Sequence, residues 1–162
     1  MIQMRRVSDY VLAWGLWALS SALGVFIGFW AVLDTMKTIA ETATMDALLR
    51  GTSAEQFQVP FIRNVVDRFG TLAIGVLSVL LVVFVEHYYR TGVDEGALWR
   101  RFVLVTAIEF GVLFVALTIQ SILFGALGLF TIWSVVVPVV VLAVTAALSW
   151  VLTRMPKNSS SA

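Results

Sequence analysis

Four long apolar stretches, separated by short polar segments, run along the chain. A helix that crosses about 30 Å of hydrocarbon needs roughly 20 mainly apolar residues at 1.5 Å per residue. The stretches that reach or approach this length predict transmembrane spans at about 11–33, 69–87, 102–123 and 129–152. The pattern therefore predicts an all-α integral membrane protein, built as a four-transmembrane-helix bundle. We expect residues 1–155 to form a single transmembrane domain and residues 156–162 to form a disordered tail.

Proline and glycine residues indicate where these helices begin, bend and end. Apolar residues at helical spacing extend the second stretch backward to Pro60, which suits a first helical turn. Pro138 lies inside the fourth stretch and predicts a kink, because proline lacks an N–H and its ring clashes with the preceding turn. Gly92 and Gly96 are expected to break the helices between the second and third spans. The uncharged segment 124–128 predicts a tight helical hairpin between the third and fourth.

The segment 34–68 is the only sizeable part of the chain outside the predicted spans. Its first half has apolar residues at helical spacing, namely Met36, Ile39, Ala40, Ala43 and Ala47. We therefore expect the first span to continue as an amphipathic helix until Gly51, within a partly helical loop. This segment either packs on its own bundle as a solvated hairpin, lies on the membrane or covers a partner.

Composition agrees with a membrane protein and excludes several other classes. The chain is 60% hydrophobic and 13% charged, whereas soluble domains are about 45–50% apolar and about 25% charged. A net charge of +1, with no basic stripe, gives no reason to expect a nucleic-acid partner. The absence of cysteine excludes disulfides, thiolate metal sites and cysteine nucleophiles. The first apolar stretch is longer than a signal-peptide core, so we interpret it as a retained span.

The distribution of basic residues predicts the orientation in the bilayer. With the N-terminus inside, the cytoplasmic side holds seven Lys and Arg residues and the outer side holds four, and those four are mixed with acidic residues. Trp30 and Trp133 fall near the outer interface, as expected of aromatic belt residues. Both termini are therefore predicted to be cytoplasmic, with the loop 34–68 on the outer side. We expect the protein in a prokaryotic cytoplasmic (inner) membrane.

Ser20, Gly24 and Gly28 are spaced four residues apart in the first span. Small residues at this spacing form a groove in which another helix backbone can approach closely. The groove is predicted to be a helix-packing site, either for another span of this chain or for a partner protein. An intramolecular contact is the simpler of the two, because a four-helix bundle needs close contacts of its own.

Glu109 is the one charged residue well inside a predicted span, about 10 Å along the helix from Phe102. A carboxylate in hydrocarbon costs several kcal/mol unless it is protonated, paired or able to reach water. Three interpretations remain open. Glu109 is protonated or hydrogen-bonded to a hydroxyl such as that of Ser20, Ser21 or Ser78, or it accepts a charge from a partner subunit, or it is a proton or cation site. Gln120, further out on the same helix, is a polar neighbour that carries no charge.

His87, the single histidine, lies at the end of the second span and is a candidate ligand for a haem or a chlorophyll-type pigment. One histidine is weak evidence, and a histidine that merely meets lipid headgroups is the more common case. The sequence therefore assigns no cofactor. It shows no nucleophile–base pair, phosphate loop or cluster of metal ligands, so we predict that the protein is not an enzyme.

These observations favour a non-catalytic accessory or scaffold subunit of a larger membrane protein complex, such as a respiratory or photosynthetic one. Besides the lipid bilayer, its expected partners are other membrane subunits or further copies of itself, which it binds through transmembrane helix packing. The alternative is a small oligomeric transporter or channel for protons, cations or a small solute, in which Glu109 carries the coupled charge.

Overall fold

The chain folds as long helices, four of which are long and apolar enough to cross a membrane. A computed structural model describes residues 2–50, 60–61, 64–129 and 131–155, with side chains described for these except 2–7 and 43–50. The described residues contain helices and turns but no strand. The expectation of an all-α chain with four helices able to span a membrane is confirmed for the described residues. The predicted tail 156–162 lies outside the described residues.

The first helical run is longer than the apolar stretch that predicts it. Helix α1 (Ile2–Ile27) passes into a π-helical turn, π1 (Gly28–Val32), and then into helix α2 (Leu33–Arg50) without a break. In π1 the N–H of Leu33 donates to the Gly28 carbonyl, five residues earlier. The π turn therefore lies within the first candidate span, which covers Ser8–Thr42.

The second run has the same construction. Pro60 and Phe61 are helical, a second π turn, π2, covers Val66–Gly70, and helix α3 covers Thr71–Asp94. Gly96, with a φ of 64°, lies in the turn that follows α3. The expectation that Gly92 also breaks the helix is wrong, because Gly92 lies inside α3. Its missing side chain makes room for Arg101 instead, since a Cβ there would lie 2.7 Å from Arg101 Cδ.

Helix α4 (Leu98–Ala126) and helix α5 (Ile132–Arg154) form the hairpin at the C-terminal end of the described chain. Gly128, with a φ of 73°, lies in the turn between them, in a backbone conformation that favours glycine. The fourth span was expected from residue 129, but α5 begins at Ile132 because Thr131 is extended, with a φ of −120° and a ψ of 148°. Pro138 is buried within α5, and the helix is not interrupted there.

Three of the helices form the centre of the bundle and α5 lies at its edge. Helices α1, α3 and α4 pack against one another, while α2 packs on α4 and on π2. One buried cluster, which includes Ala13, Val85, Tyr89 and Val105, joins all three central helices. Within the described part of the chain, α5 packs extensively against α4 alone and leaves most of its apolar side chains exposed. The bundle is thus three mutually packed helices with a fourth on one side.

Candidate functional site

The carboxyl group of Glu109 lies inside the bundle, on α4, where it faces α1. Glu109 is only 6% exposed, and neither of its carboxyl oxygens has a hydrogen-bond partner among the described residues. No described lysine or arginine forms an ion pair with it. A buried polar group without a partner is uncommon in native proteins and calls for a physical cause.

Gly24 on α1 provides the space that the carboxyl group occupies. A Cβ at Gly24 would lie 3.0 Å from Glu109 Oε1 and 2.5 Å from Leu81 Cδ2. The carboxyl group and the Leu81 methyl group therefore converge on the volume that the missing side chain leaves empty. Glycine is needed at this position because a side chain would collide with Leu81 and Glu109. The backbone conformation does not require it, since residue 24 lies in a regular helix.

The hydroxyl groups near Glu109 do not bond to it. Ser20 Oγ lies 2.8 Å from the Tyr89 hydroxyl oxygen, and both residues are 1% exposed. Ser21 Oγ is buried and, like the Glu109 oxygens, has no partner among the described residues. Of the interpretations left open for Glu109, the one that gives it a hydroxyl partner finds no such bond among the described residues, where Ser20 pairs with Tyr89 instead.

Sequence reasoning missed Tyr89 as a member of this site, because a tyrosine at a span end is usually an interfacial residue. Helical spacing did contain a signal. Leu81, Val85 and Tyr89 are four residues apart on α3, so they share one face, just as Ser20, Gly24 and Gly28 share one face of α1. These two faces meet in the structure, since Gly24 contacts Leu81 and a Cβ at Gly28 would lie 3.4 Å from Ile74 Cγ2.

An open groove of about 430 Å³ runs between α1 and α3, outside the buried carboxyl group. Its walls include Gly24, Gly28, Ile74, Leu77, Ser78 and Leu81, so Ser78 supplies the polar side chain of an otherwise apolar lining. Gly24 and Leu81 belong both to the groove and to the environment of Glu109. The carboxyl group therefore lies directly behind one wall of the groove.

Gln120 lies far from Glu109 and belongs to a separate polar layer. It is roughly 16 Å further along α4 at 1.5 Å per residue. Gln120 Nε2 donates to Asp34 Oδ2 on α2 at 3.0 Å, and Lys37 forms a 2.7 Å ion pair with Asp67 on π2. This layer connects α2 to α4 and to π2. It does not join the Glu109 site.

The opposite end of the bundle is held by Arg101 at the start of α4. Its guanidinium group donates to the Tyr88 carbonyl oxygen at 2.5 Å, pairs with Glu95 at 2.5 Å and lies 4.5 Å from the centre of the Tyr88 ring. In the same region Tyr10 donates to Asp94 at 2.8 Å. These contacts connect α3 to α1, and connect α3 and the α3–α4 turn to α4.

His87 is exposed on α3 and is not brought together with Glu109. Its backbone carbonyl accepts a hydrogen bond from Thr91, as in an ordinary helix end. The neighbouring pair Glu86 and Arg90 is found as the helical spacing indicates, at 3.5 Å. The described residues contain no group of three or more His, Cys, Asp or Glu side chains that could hold a metal ion.

A comparison of the chain with protein-family models, curated proteins and solved structures gave no match. The chemistry of the Glu109 site is consequently argued from its own geometry. A buried carboxyl group can bind a proton or a cation, or it can accept a hydrogen bond from a partner.

Proposed function

We propose that this protein is a non-catalytic accessory or scaffold subunit of a larger membrane protein complex, of the kind found in respiratory or photosynthetic membranes. The observation that carries the proposal is the position of α5. This helix packs extensively only on α4 and leaves a broad apolar face exposed, including Val139, Val140 and Trp150. Such a face suits packing against a transmembrane helix of another subunit, although lipid also covers apolar surface of this kind.

In this proposal both termini are cytoplasmic and α2 lies on the outer side of a prokaryotic inner membrane. The excess of Lys and Arg on the N-terminal side supports this orientation. The exposed side chains of Trp30 in π1 and Trp133 at the start of α5 support the placement of these two helix ends at the same interface, because tryptophan favours membrane interfaces. Tyr10 and Trp150 provide the corresponding aromatic residues at the opposite end.

Site-specific photo-crosslinking in native membranes tests the subunit proposal. A photoreactive side chain in place of Val140, which is 55% exposed, is expected to crosslink to a partner protein. The matched control is the same group in place of Val141, which is 8% exposed and faces α4, and which should crosslink only within the chain. Purification in mild detergent followed by mass spectrometry would then identify the partner. Recovery as a lone monomer, with lipid as the only adduct at position 140, would refute the proposal.

A second candidate function is the transport of protons, cations or a small solute by several copies acting together. The unpartnered carboxyl group of Glu109 favours it, because a coupling residue must change its charge state inside the membrane. The test compares flux and pH-gradient dissipation in liposomes for the wild type and for Glu109→Gln, which removes the ionisable group with little change in shape. Flux that is equal in both proteins, or absent from both, would exclude this function.

A further inference from the structure

We propose that the groove between α1 and α3 binds a hydrophobic organic monocation, with Glu109 as its counter-ion. A protonated amine or a quaternary onium ion with an apolar body has this chemistry. The inference does not depend on the subunit function proposed above. It shares only the residue Glu109 with the transport candidate, and its test measures binding rather than flux.

The size and lining of the groove suit an apolar ligand of this class. Small-molecule sites commonly have volumes of about 300–1,000 Å³ and apolar walls with a few polar groups. The groove, at about 430 Å³, is lined mainly by aliphatic side chains and glycine, with the Ser78 hydroxyl as a polar exception. Leu77, Leu80 and Phe84 along its rim are each about three-fifths exposed, so the groove opens toward the surrounding hydrocarbon. A hydrophobic ligand would enter directly from the bilayer.

The charge of the ligand is inferred from what lies behind the groove. Both carboxyl oxygens of Glu109 lack a partner, and no described basic side chain pairs with them. Opposite charge or protonation offsets the cost of burying a carboxylate in hydrocarbon. A neutral lipid chain in the groove would leave the carboxyl group without a partner. A monocation would supply the missing charge.

The route from the groove to the carboxyl group passes Gly24. Glycine leaves no side chain between the two, and the space is filled by the end of the Leu81 side chain and by Glu109 Oε1. Leu81 is only half-buried and its terminal methyl groups can change rotamer. In this proposal, a change of the Leu81 rotamer opens the space beside Gly24, through which a ligand in the groove reaches the carboxyl oxygen.

The test is equilibrium binding of tetraphenylphosphonium to the purified full chain, with empty detergent micelles as background. Tetraphenylborate has nearly the same shape and the opposite charge, so it separates charge recognition from hydrophobic partitioning. We expect saturable binding of the cation with one site per chain and no saturable binding of the anion. Glu109→Gln should weaken cation binding by about tenfold or more, because removal of one charge from a buried pair is costly.

Two further variants show whether the cation binds in the groove beside Glu109 or elsewhere on the chain. Glu86→Gln makes the same chemical change at a carboxylate that lies outside the groove and pairs with Arg90, and it should leave binding unchanged. Gly28→Leu keeps Glu109 but places a side chain in the groove, and it should weaken binding because the side chain occupies the space of the ligand. The helices should keep their packing, since a Cβ at position 28 meets only ordinary van der Waals contacts.

Three results would overturn the proposal. They are equal binding of the cation by wild type and Glu109→Gln, saturable binding of both ions alike, and no saturable binding of the cation to the wild type. Phospholipid is measured in the same purified samples. If one of these results is obtained and phospholipid co-purifies equally with the wild type and with Glu109→Gln, the groove is assigned to a lipid chain. If Glu109→Gln fails to fold, the comparison of the two ions on the wild type still decides the question.

Discussion

The hydroxyl oxygens of Ser20 and Tyr89 lie 2.8 Å apart in the interior of the bundle, one helical turn from Gly24. They join α1 to α3 where both side chains are almost completely shielded. Hydrocarbon offers no replacement partner if one of the two hydroxyl groups is removed. The loss of stability when this hydrogen bond is removed therefore measures its contribution to the packing of α1 on α3.

Tyr89→Phe is expected to destabilise the bundle by about 1 kcal/mol, because it leaves Ser20 Oγ buried without a partner. Thermal or detergent-induced unfolding measures the loss. Ser20→Ala added to Tyr89→Phe should cost less than the sum of the two single changes. Tyr10→Phe is the matched control, since it removes an exposed hydroxyl that donates to Asp94, and its effect should be smaller. Additive effects of Tyr89→Phe and Ser20→Ala would contradict the assigned bond.

Gly24→Ala is expected to destabilise the bundle by about 1–2 kcal/mol, because the new methyl group would displace Leu81 and crowd Glu109. Leu81→Ala in the same chain should recover part of that loss. Gly15→Ala is the control, since a Cβ there meets nothing within 4 Å and alanine favours helix. A Gly24→Ala protein as stable as Gly15→Ala would show that α1 and α3 are further apart than described.

Arg101→Ala is expected to cost about 1–2 kcal/mol through loss of the contacts to Glu95 and to the Tyr88 carbonyl. The neighbouring Arg100 is exposed, and Arg100→Ala removes the same charge with an expected effect below about 0.5 kcal/mol. Unfolding in detergent at low ionic strength compares the two variants. Equal losses of stability in the two variants would mean that Arg101 stabilises the bundle through its charge alone and not through its hydrogen bonds.

The orientation is testable with single cysteines, because the natural chain contains none. Met45→Cys and Leu127→Cys should react with a membrane-impermeant maleimide from the outside of intact cells, and Asp94→Cys should react only after the membrane is opened. This follows from the predicted cytoplasmic position of both termini. Labelling of Asp94→Cys in intact cells, with protection of Met45→Cys, would reverse the orientation.

The four spanning helices were predictable because hydrocarbon selects for long apolar stretches, and that selection is visible in the residues themselves. The residues at which the helices begin and end were less predictable. Gly92 has the residue type of a helix breaker, yet its role is to let Arg101 approach, which depends on a contact between two helices. The π turns left no signal in the pattern of apolar residues.

The partners inside the bundle were not predictable, for a physical reason. In a soluble protein, polarity separates the buried face of a helix from the exposed one, but a face that meets lipid is as apolar as one that meets another helix. The edge position of α5 and the burial of Tyr89 could not be inferred from hydropathy for this reason. Glu109 was identifiable as an anomaly in composition, while its lack of a partner depends on the rotation of α1 and α3.

The two π turns determine the register of everything that follows them. Each holds one residue more than an α-helical turn, so the side chains beyond it are rotated by about 100° from the positions a regular helix would give. Beyond π1, the Thr35 hydroxyl donates to the Ala31 carbonyl of its own helical run at 2.6 Å and also lies 3.3 Å from the Ala116 carbonyl on α4, while Lys37 pairs with Asp67. Loss of a single codon within 28–32 would leave a continuous helix but turn both side chains away from their partners. The contacts that α2 makes with α4 and with π2 therefore depend on the one extra residue that π1 contains.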